Sequence, residues 1–256
     1  RFFFPNKSAL FDMDILPISC FALSIVGGIL HRRQQQFSEN QSQIAIIVHG
    51  GAYAIPDSSK VACEMGCRNA AQVGYKVLSN GGSAAEAVEA AVNVLENDPA
   101  FDAGYGSVLT AEGVVEMDAV IMDGETLDAG AVAGVTSVRN PITLARHIMK
   151  QTKHVLLIGS GADKFARKIG LEEVSTKDLV TQAAIDELSQ FRKYSDTVGG
   201  LFNTTATAAA SGHDTVGCVC IDRKGTIAGG TSTGGITAKM QGRVGDSPII
   251  GSGLYA

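Results

Sequence analysis

The chain has 256 residues, 45% hydrophobic and 18% charged, which excludes a disordered polypeptide and leaves room for one large globular domain or two small ones. Its 21 basic and 26 acidic residues give a net charge of −5, so nucleic acid and anionic membrane are not expected partners. The five cysteines follow neither a disulfide framework nor a zinc pattern, which fits a reducing compartment.

Residues 1–43 read as a leader apart from the rest. Ile15 to Leu30 is apolar but broken by Pro17, Gly27 and Gly28, and it is short against the roughly 20 residues a membrane span needs. A cytoplasmic protein is expected, with a weak signal peptide or anchor kept as the alternative. Ile44 to Ala52 opens with a strand that runs into a Gly-rich turn, where His49 reads as structural. Ala62 to Ser79 is a predicted helix ended by Asn80-Gly81. It carries Cys63 and Cys67 at helical spacing, and with no histidine nearby these read as buried thiols. Ser83-Ala-Ala-Glu86 is a capping box opening a second helix to about Asn97, so Glu86 needs no catalytic explanation.

Met117 to Met122 and Ala129 to Val138 are predicted strands. Asn140 is expected to cap a helix starting at Pro141. Val155 to Gly159 reads as a strand and Thr181 to Arg192 as a helix. Gly199 to Gly212 lacks periodicity and reads as a linker. Thr215 to Ile221, the turn Asp222-Arg-Lys-Gly225, and a strand from Thr226 to Thr231 form a predicted hairpin. That hairpin would return Thr231-Ser232-Thr233 beside Thr215.

Three motifs near the end carry chemistry: His213-Asp214-Thr215-Val216-Gly217, Thr231-Ser232-Thr233-Gly234-Gly235 and Gly242-Arg243-Val244-Gly245-Asp246-Ser247-Pro248. A threonine hydroxyl is a weak nucleophile without an adjacent base. Cleavage between Asp214 and Thr215 would make Thr215 N-terminal, and its α-amine, with a pKa near 7.7–8.0, would be that base. Arg243 can take a carboxylate through two parallel hydrogen bonds, and Asp246 can take an ammonium. Together they describe a pocket for both charged ends of an amino acid.

These motifs resemble the plant-type asparaginase/isoaspartyl peptidase family of N-terminal-nucleophile (Ntn) hydrolases. The likeness runs from about Ile44 to Ala256 and includes Phe101 to Ser107, Glu116 to Gly124 and Ala129 to Val135 in order. It implies an α/β (α+β) fold, a four-layer αββα sandwich. Residues 44–214 would be the first chain of the processed protein and 215–256 the start of the second. It implies Thr215 as nucleophile, Thr233 as the hydroxyl supporting it, and a substrate loop of Arg243, Val244, Gly245 and Asp246 holding the α-carboxylate and α-amine. The implied reaction is hydrolysis of L-asparagine and β-aspartyl dipeptides to L-aspartate.

The resemblance also implies a homodimer of cleaved units and no cofactor, although some relatives hold a sodium ion on backbone carbonyls. A further segment beyond Ala256, with a Thr-Gly stretch forming the oxyanion hole, belongs to the family pattern; losing one such donor costs about 10²–10³ in rate. Asp102 stands where the family often has Asn. Two other readings stay open. Asp214 before the nucleophile resembles glycosylasparaginases, although these tend to have Asn at the position of Gly234. The other is a non-catalytic family member.

Overall fold

The computed structural model describes residues 43–52, 55–202 and 215–256, with side chains from 195 to 202 left aside. Among the described residues six strands form one sheet: β1 (Ala45–His49), β2 (Met117–Asp123), β3 (Ala129–Val135), β4 (Leu156–Ile158), β5 (Val216–Ile221) and β6 (Ile227–Thr233). Their spatial order is β1-β5-β6-β2-β3-β4, antiparallel throughout except for β3 with β4. The β5–β6 hairpin therefore lies between β1 and β2, so distant parts of the chain flank it on both sides.

Five α-helices among the described residues accompany the sheet: α1 (Asp57–Ser79), α2 (Ala84–Glu96), α3 (Pro141–Gln151), α4 (Gly159–Lys168) and α5 (Gln182–Phe202). The class is the mixed α/β expected, and α1 to α4 share one large core with one face of the sheet. Alternation decides which side chains enter that core. Val216, Cys218 and Cys220 of β5, and Met117, Ala119 and Ile121 of β2, point to the helices. Gly230 of β6 does too, and a Cβ there would stand 2.6 Å from Val88 Cγ1, so the small residue is what lets α2 approach the sheet. On the opposite face Val120, Met122, Ala129 and Ala131 pack under Leu254, Ile250 and Ala256. Leu156 and Ile158 at the β4 edge stay exposed.

The capping box at α2 is formed: Glu86 N–H donates to Ser83 Oγ at 3.3 Å and Ser83 N–H to Glu86 Oε2 at 3.0 Å. Asn140 departs from its expected role. It makes no side-chain cap on α3; its Nδ2 instead donates to Glu96 Oε2 at 3.0 Å, and Glu96 Oε1 accepts the Ile142 N–H at 2.9 Å. The carboxylate of a neighbouring helix thus does the capping.

Helix α1 starts earlier than predicted, at Asp57, and α5 runs ten residues past Arg192, through Gly199 and Gly200. Strand β3 stops at Val135, and Gly159 opens α4 rather than closing a strand. Helix α4 was not expected, because Gly159-Ser-Gly reads as loop. It forms where Ala162 and Ala166 enter the core and where Asp163 Oδ1 accepts the Ser137 hydroxyl at 2.8 Å. The leader, the linker after Phe202 and Asp214 lie outside the described residues, and no helix among those described is long and apolar enough to cross a membrane.

Candidate active site

Strand β6 carries the site because it runs between the hairpin partner and β2. Its pairs are Val216↔Ser232 and Gly217↔Thr231 on one side, and Asp118↔Thr233 and Val120↔Thr231 on the other. One step further along the same register, Thr215 lies opposite Thr233. Because side chains alternate, Thr215, Thr233 and Asp118 form one row on the face away from the helices. Behind it runs a second row, His49–Gly217–Thr231–Val120. The His49 imidazole covers Gly217, where a Cβ would stand 2.2 Å from Nε2.

The hydroxyls are engaged. Thr215 Oγ1 lies 2.5 Å from Ser247 Oγ, and Thr231 Oγ1 donates to Ser247 O at 2.8 Å. Thr233 Oγ1 accepts the Gly235 N–H at 2.9 Å, at the sharp turn where Gly235 adopts φ +90°. Thr215 is half-buried at the start of its strand, whereas Thr233 and Ser247 are buried. Ser247 was quoted within the Gly242 to Pro248 motif but given no role there, because nothing in the local run of residues says which distant side chain it meets.

The predicted substrate loop folds back over the Thr233 turn. A Cβ on Gly235 would stand 3.3 Å from Arg243 Nη1, and one on Gly245 would stand 3.2 Å from the same atom. The guanidinium therefore lies between two glycines that leave it access, with Arg243 half-buried and Asp246 and Val244 exposed at the rim. Gly234 is tighter still. Its N–H donates to Asp102 O at 3.0 Å, and a Cβ would meet Asp102 Oδ1 at 2.3 Å and Ser107 Cβ at 2.6 Å. Asp102 is held in turn, with Oδ1 accepting the Val108 N–H at 2.9 Å.

Beneath these groups is a buried charged layer that the sequence did not single out. Asp118 accepts the Gly134 N–H at 2.8 Å, and burial pushes its carboxyl above the ordinary range, offset partly by that bond and by Lys239 and Arg243. Lys239 donates to Glu116 O at 2.7 Å, and burial pulls its ammonium below its ordinary value despite Asp118 and Glu116. An aspartate in the apolar strand Met117-Asp-Ala-Val-Ile121 was the available signal. On the helix face, Ser232 Oγ donates to Glu96 Oε1 at 2.7 Å, and burial raises the Glu96 carboxyl to about 7. The thiols of Cys67, Cys218 and Cys220 are all raised, chiefly by burial. Among the described residues no cluster of three or more His, Cys, Asp or Glu side chains is arranged to hold a metal ion.

A family model described as asparaginase matches residues 42–256, which include every group of this arrangement. The chain belongs to that asparaginase family. It is 47% identical over 214 residues to an isoaspartyl peptidase/L-asparaginase of Mus musculus, covering 83% of this chain and 64% of the mouse protein. It is 47% identical over 222 residues to a plant-type L-asparaginase of Pyrococcus horikoshii, covering 83% of this chain and 70% of the archaeal protein. A plant-type L-asparaginase of Thermococcus kodakarensis matches at 48% over 219 residues, with the same coverage of 83% and 70%. The chain thus spans a little under two thirds of the mouse asparaginase family member and 70% of the two archaeal ones.

Proposed function

We propose that the chain carries the nucleophile and the amino-acid grip of an N-terminal-threonine amidohydrolase. Its substrates are L-asparagine and β-aspartyl dipeptides, and it forms that nucleophile by cutting itself between Asp214 and Thr215. The observation that supports this best is the row Thr215–Thr233, with the Arg243 guanidinium folded over the turn that Thr233 opens.

The self-cut follows from the chemistry of the bond. Thr215 Oγ1 attacks the Asp214 carbonyl carbon, the peptide C–N bond breaks, and the acyl group passes from nitrogen to oxygen. Water then hydrolyses the ester, leaving a carboxylate on Asp214 and a free α-amine on Thr215. That amine takes the hydroxyl proton when Thr215 attacks the side-chain amide of a bound substrate, with Arg243 holding the α-carboxylate and Asp246 the α-ammonium. Ammonia, or the amine of the second residue in a dipeptide, departs. Water then releases L-aspartate from the Thr215 ester. Thr233 is assigned to supporting Thr215, and Gly234 favours asparaginase over glycosylasparaginase because the latter tend to have Asn there; a Cβ at this position would meet Asp102 Oδ1.

The two products of the cut, with 44–214 in the first and 215–256 in the second, stay together. β1 and β2 of the first flank β5 and β6 of the second in one sheet, and Thr237 donates to Glu187 of α5 at 2.5 Å. A homodimer of such cut units is the proposed assembly. The test is intact mass and N-terminal sequencing after incubation near neutral pH, with Thr215→Ala alongside, followed by assay of L-asparagine and β-aspartyl dipeptides. A new N-terminus at Thr215 that is absent from the variant is expected. A chain carrying the family's full length that stays uncut would sink the proposal.

A further inference from the structure

We propose that Ser247 is a positioning residue that sets the side-chain rotamer of Thr215, so that the loop gripping the substrate also aims the nucleophile. This rests on the assignment of Thr215 made above. The motif Gly242 to Pro248 then has a third working member beside Arg243 and Asp246.

The contact is direct, 2.5 Å between Thr215 Oγ1 and Ser247 Oγ, and each hydroxyl can be the donor. Its two ends are held unequally. Ser247 is only 3% exposed, so its hydroxyl has to find its partner inside the protein. Thr215 is half-buried, at the open start of its strand. Ser247 is therefore the fixed end. Its carbonyl accepts the Thr231 hydroxyl at 2.8 Å, and the Ile249 N–H donates to Asp246 O at 2.8 Å just before it. Gly253 packs so closely that a Cβ would stand 2.6 Å from Ser247 Cα. Strand β6, through Thr231, and the C-terminal turn thus pin Ser247 from two directions.

A threonine has three staggered χ1 positions, and its Oγ1 and Cγ2 exchange places between them. A hydroxyl partner on one side selects the position that directs Oγ1 there. Attack needs Oγ1 and not the methyl beside the carbonyl carbon, so a rotamer preference set by Ser247 feeds into every step that begins at Thr215. The same short loop carries Arg243 and Asp246, so displacement of the grip also displaces the partner of the nucleophile.

The test reads the Thr215 side chain itself, so it does not depend on whether the chain cuts. The full 256-residue chain is prepared with labelled threonine, and Thr215 is assigned through Thr215→Ser. Ser247→Ala should shift the Thr215 Cβ resonance and average its χ1-dependent couplings, with amide signals away from the site unmoved. Thr233→Ala should leave the Thr215 rotamer in place. If Ser247→Ala does not fold, Ser247→Cys takes its place, because a sulfur atom cannot occupy a 2.5 Å contact. Thr215 couplings unchanged by the loss of the Ser247 hydroxyl would overturn the proposal, as would a rotamer that follows Thr233 instead. Where the wild type cuts, Ser247→Ala should slow the cut by about three- to tenfold, the worth of one hydrogen bond. An unaltered rate would also overturn it. The cutting of the wild type bears on self-cleavage alone, and the couplings decide the role of Ser247 in either case.

Discussion

The two faces of strand β6 are built from alternate residues of one short run, and they do different work. Ala228, Gly230 and Ser232 face the helices, where the space is filled by Val88 and Ile142 and the one hydroxyl is tied to buried Glu96. Thr231 and Thr233 face the other way, toward Thr215, Ser247 and the Arg243 loop. The helix face needs small side chains so that α2 can approach; the other needs hydroxyls at fixed spacing. A one-residue slip in register would exchange them and destroy both. The strand therefore fixes the site and the core with the same set of hydrogen bonds.

The largest break in this comparison is Thr215→Ala, which should abolish both the new N-terminus and amide hydrolysis while leaving the melting temperature close to that of the uncut chain. On the helix face the largest effect belongs to Glu96. Its carboxyl is raised from 4.5 to about 7, so the folded state binds the proton more tightly than the unfolded chain. The stability it contributes is complete below pH 4.5, declines as pH rises, and is gone above about 7. The decline is worth about 3 kcal/mol on that shift. Denaturant titrations between pH 4.5 and 8 should show this slope in the wild type and a flatter one in Glu96→Gln.

Arg243→Lys keeps the charge and loses the planar pair of donors. It should weaken kcat/KM for L-asparagine roughly 10- to 100-fold, from the loss of about 1.5–3 kcal/mol of charged hydrogen bonding, with stability unmoved. Equal rates for the two proteins would remove Arg243 from the substrate site. The smallest effect, and the sharpest contrast, comes from Ser232→Ala beside Thr231 and Thr233. Glu96 keeps its bonds from Ile142 and Asn140, so unfolding should become easier by only about 1 kcal/mol. The cut at Thr215 should proceed as before; a large loss of cutting would show that the two faces are not separable.

Much of this was legible in the residues. The capping box at Ser83 and Glu86 is a local contract between four neighbours, and it formed as read. The hairpin was legible for the same reason, since the turn at Asp222 to Gly225 and the apolar alternation set its register without help from the rest of the chain. Helix α4 was not, because Gly159-Ser-Gly is a poor local start that only Ala162, Ala166 and Asp163 finding the core and the Thr136–Ser137 backbone could stabilise. Asn140 misled because it has the right identity for a cap, while Glu96, 44 residues earlier, arrived as the better acceptor.

The sequence by itself determined the class, the hairpin and the three motifs, because these depend on side-chain period, turn chemistry and spacing along one stretch of chain. Only the tertiary structure decided what those residues touch. It brought β2 to the far side of β6, slid Asp118 beside Thr233, buried Lys239 and Glu96, and set Ser247 against Thr215. Those pairings join residues 32 to 136 positions apart. Such contacts are selected by the packing of the sheet against its helices, which no local run of residues encodes.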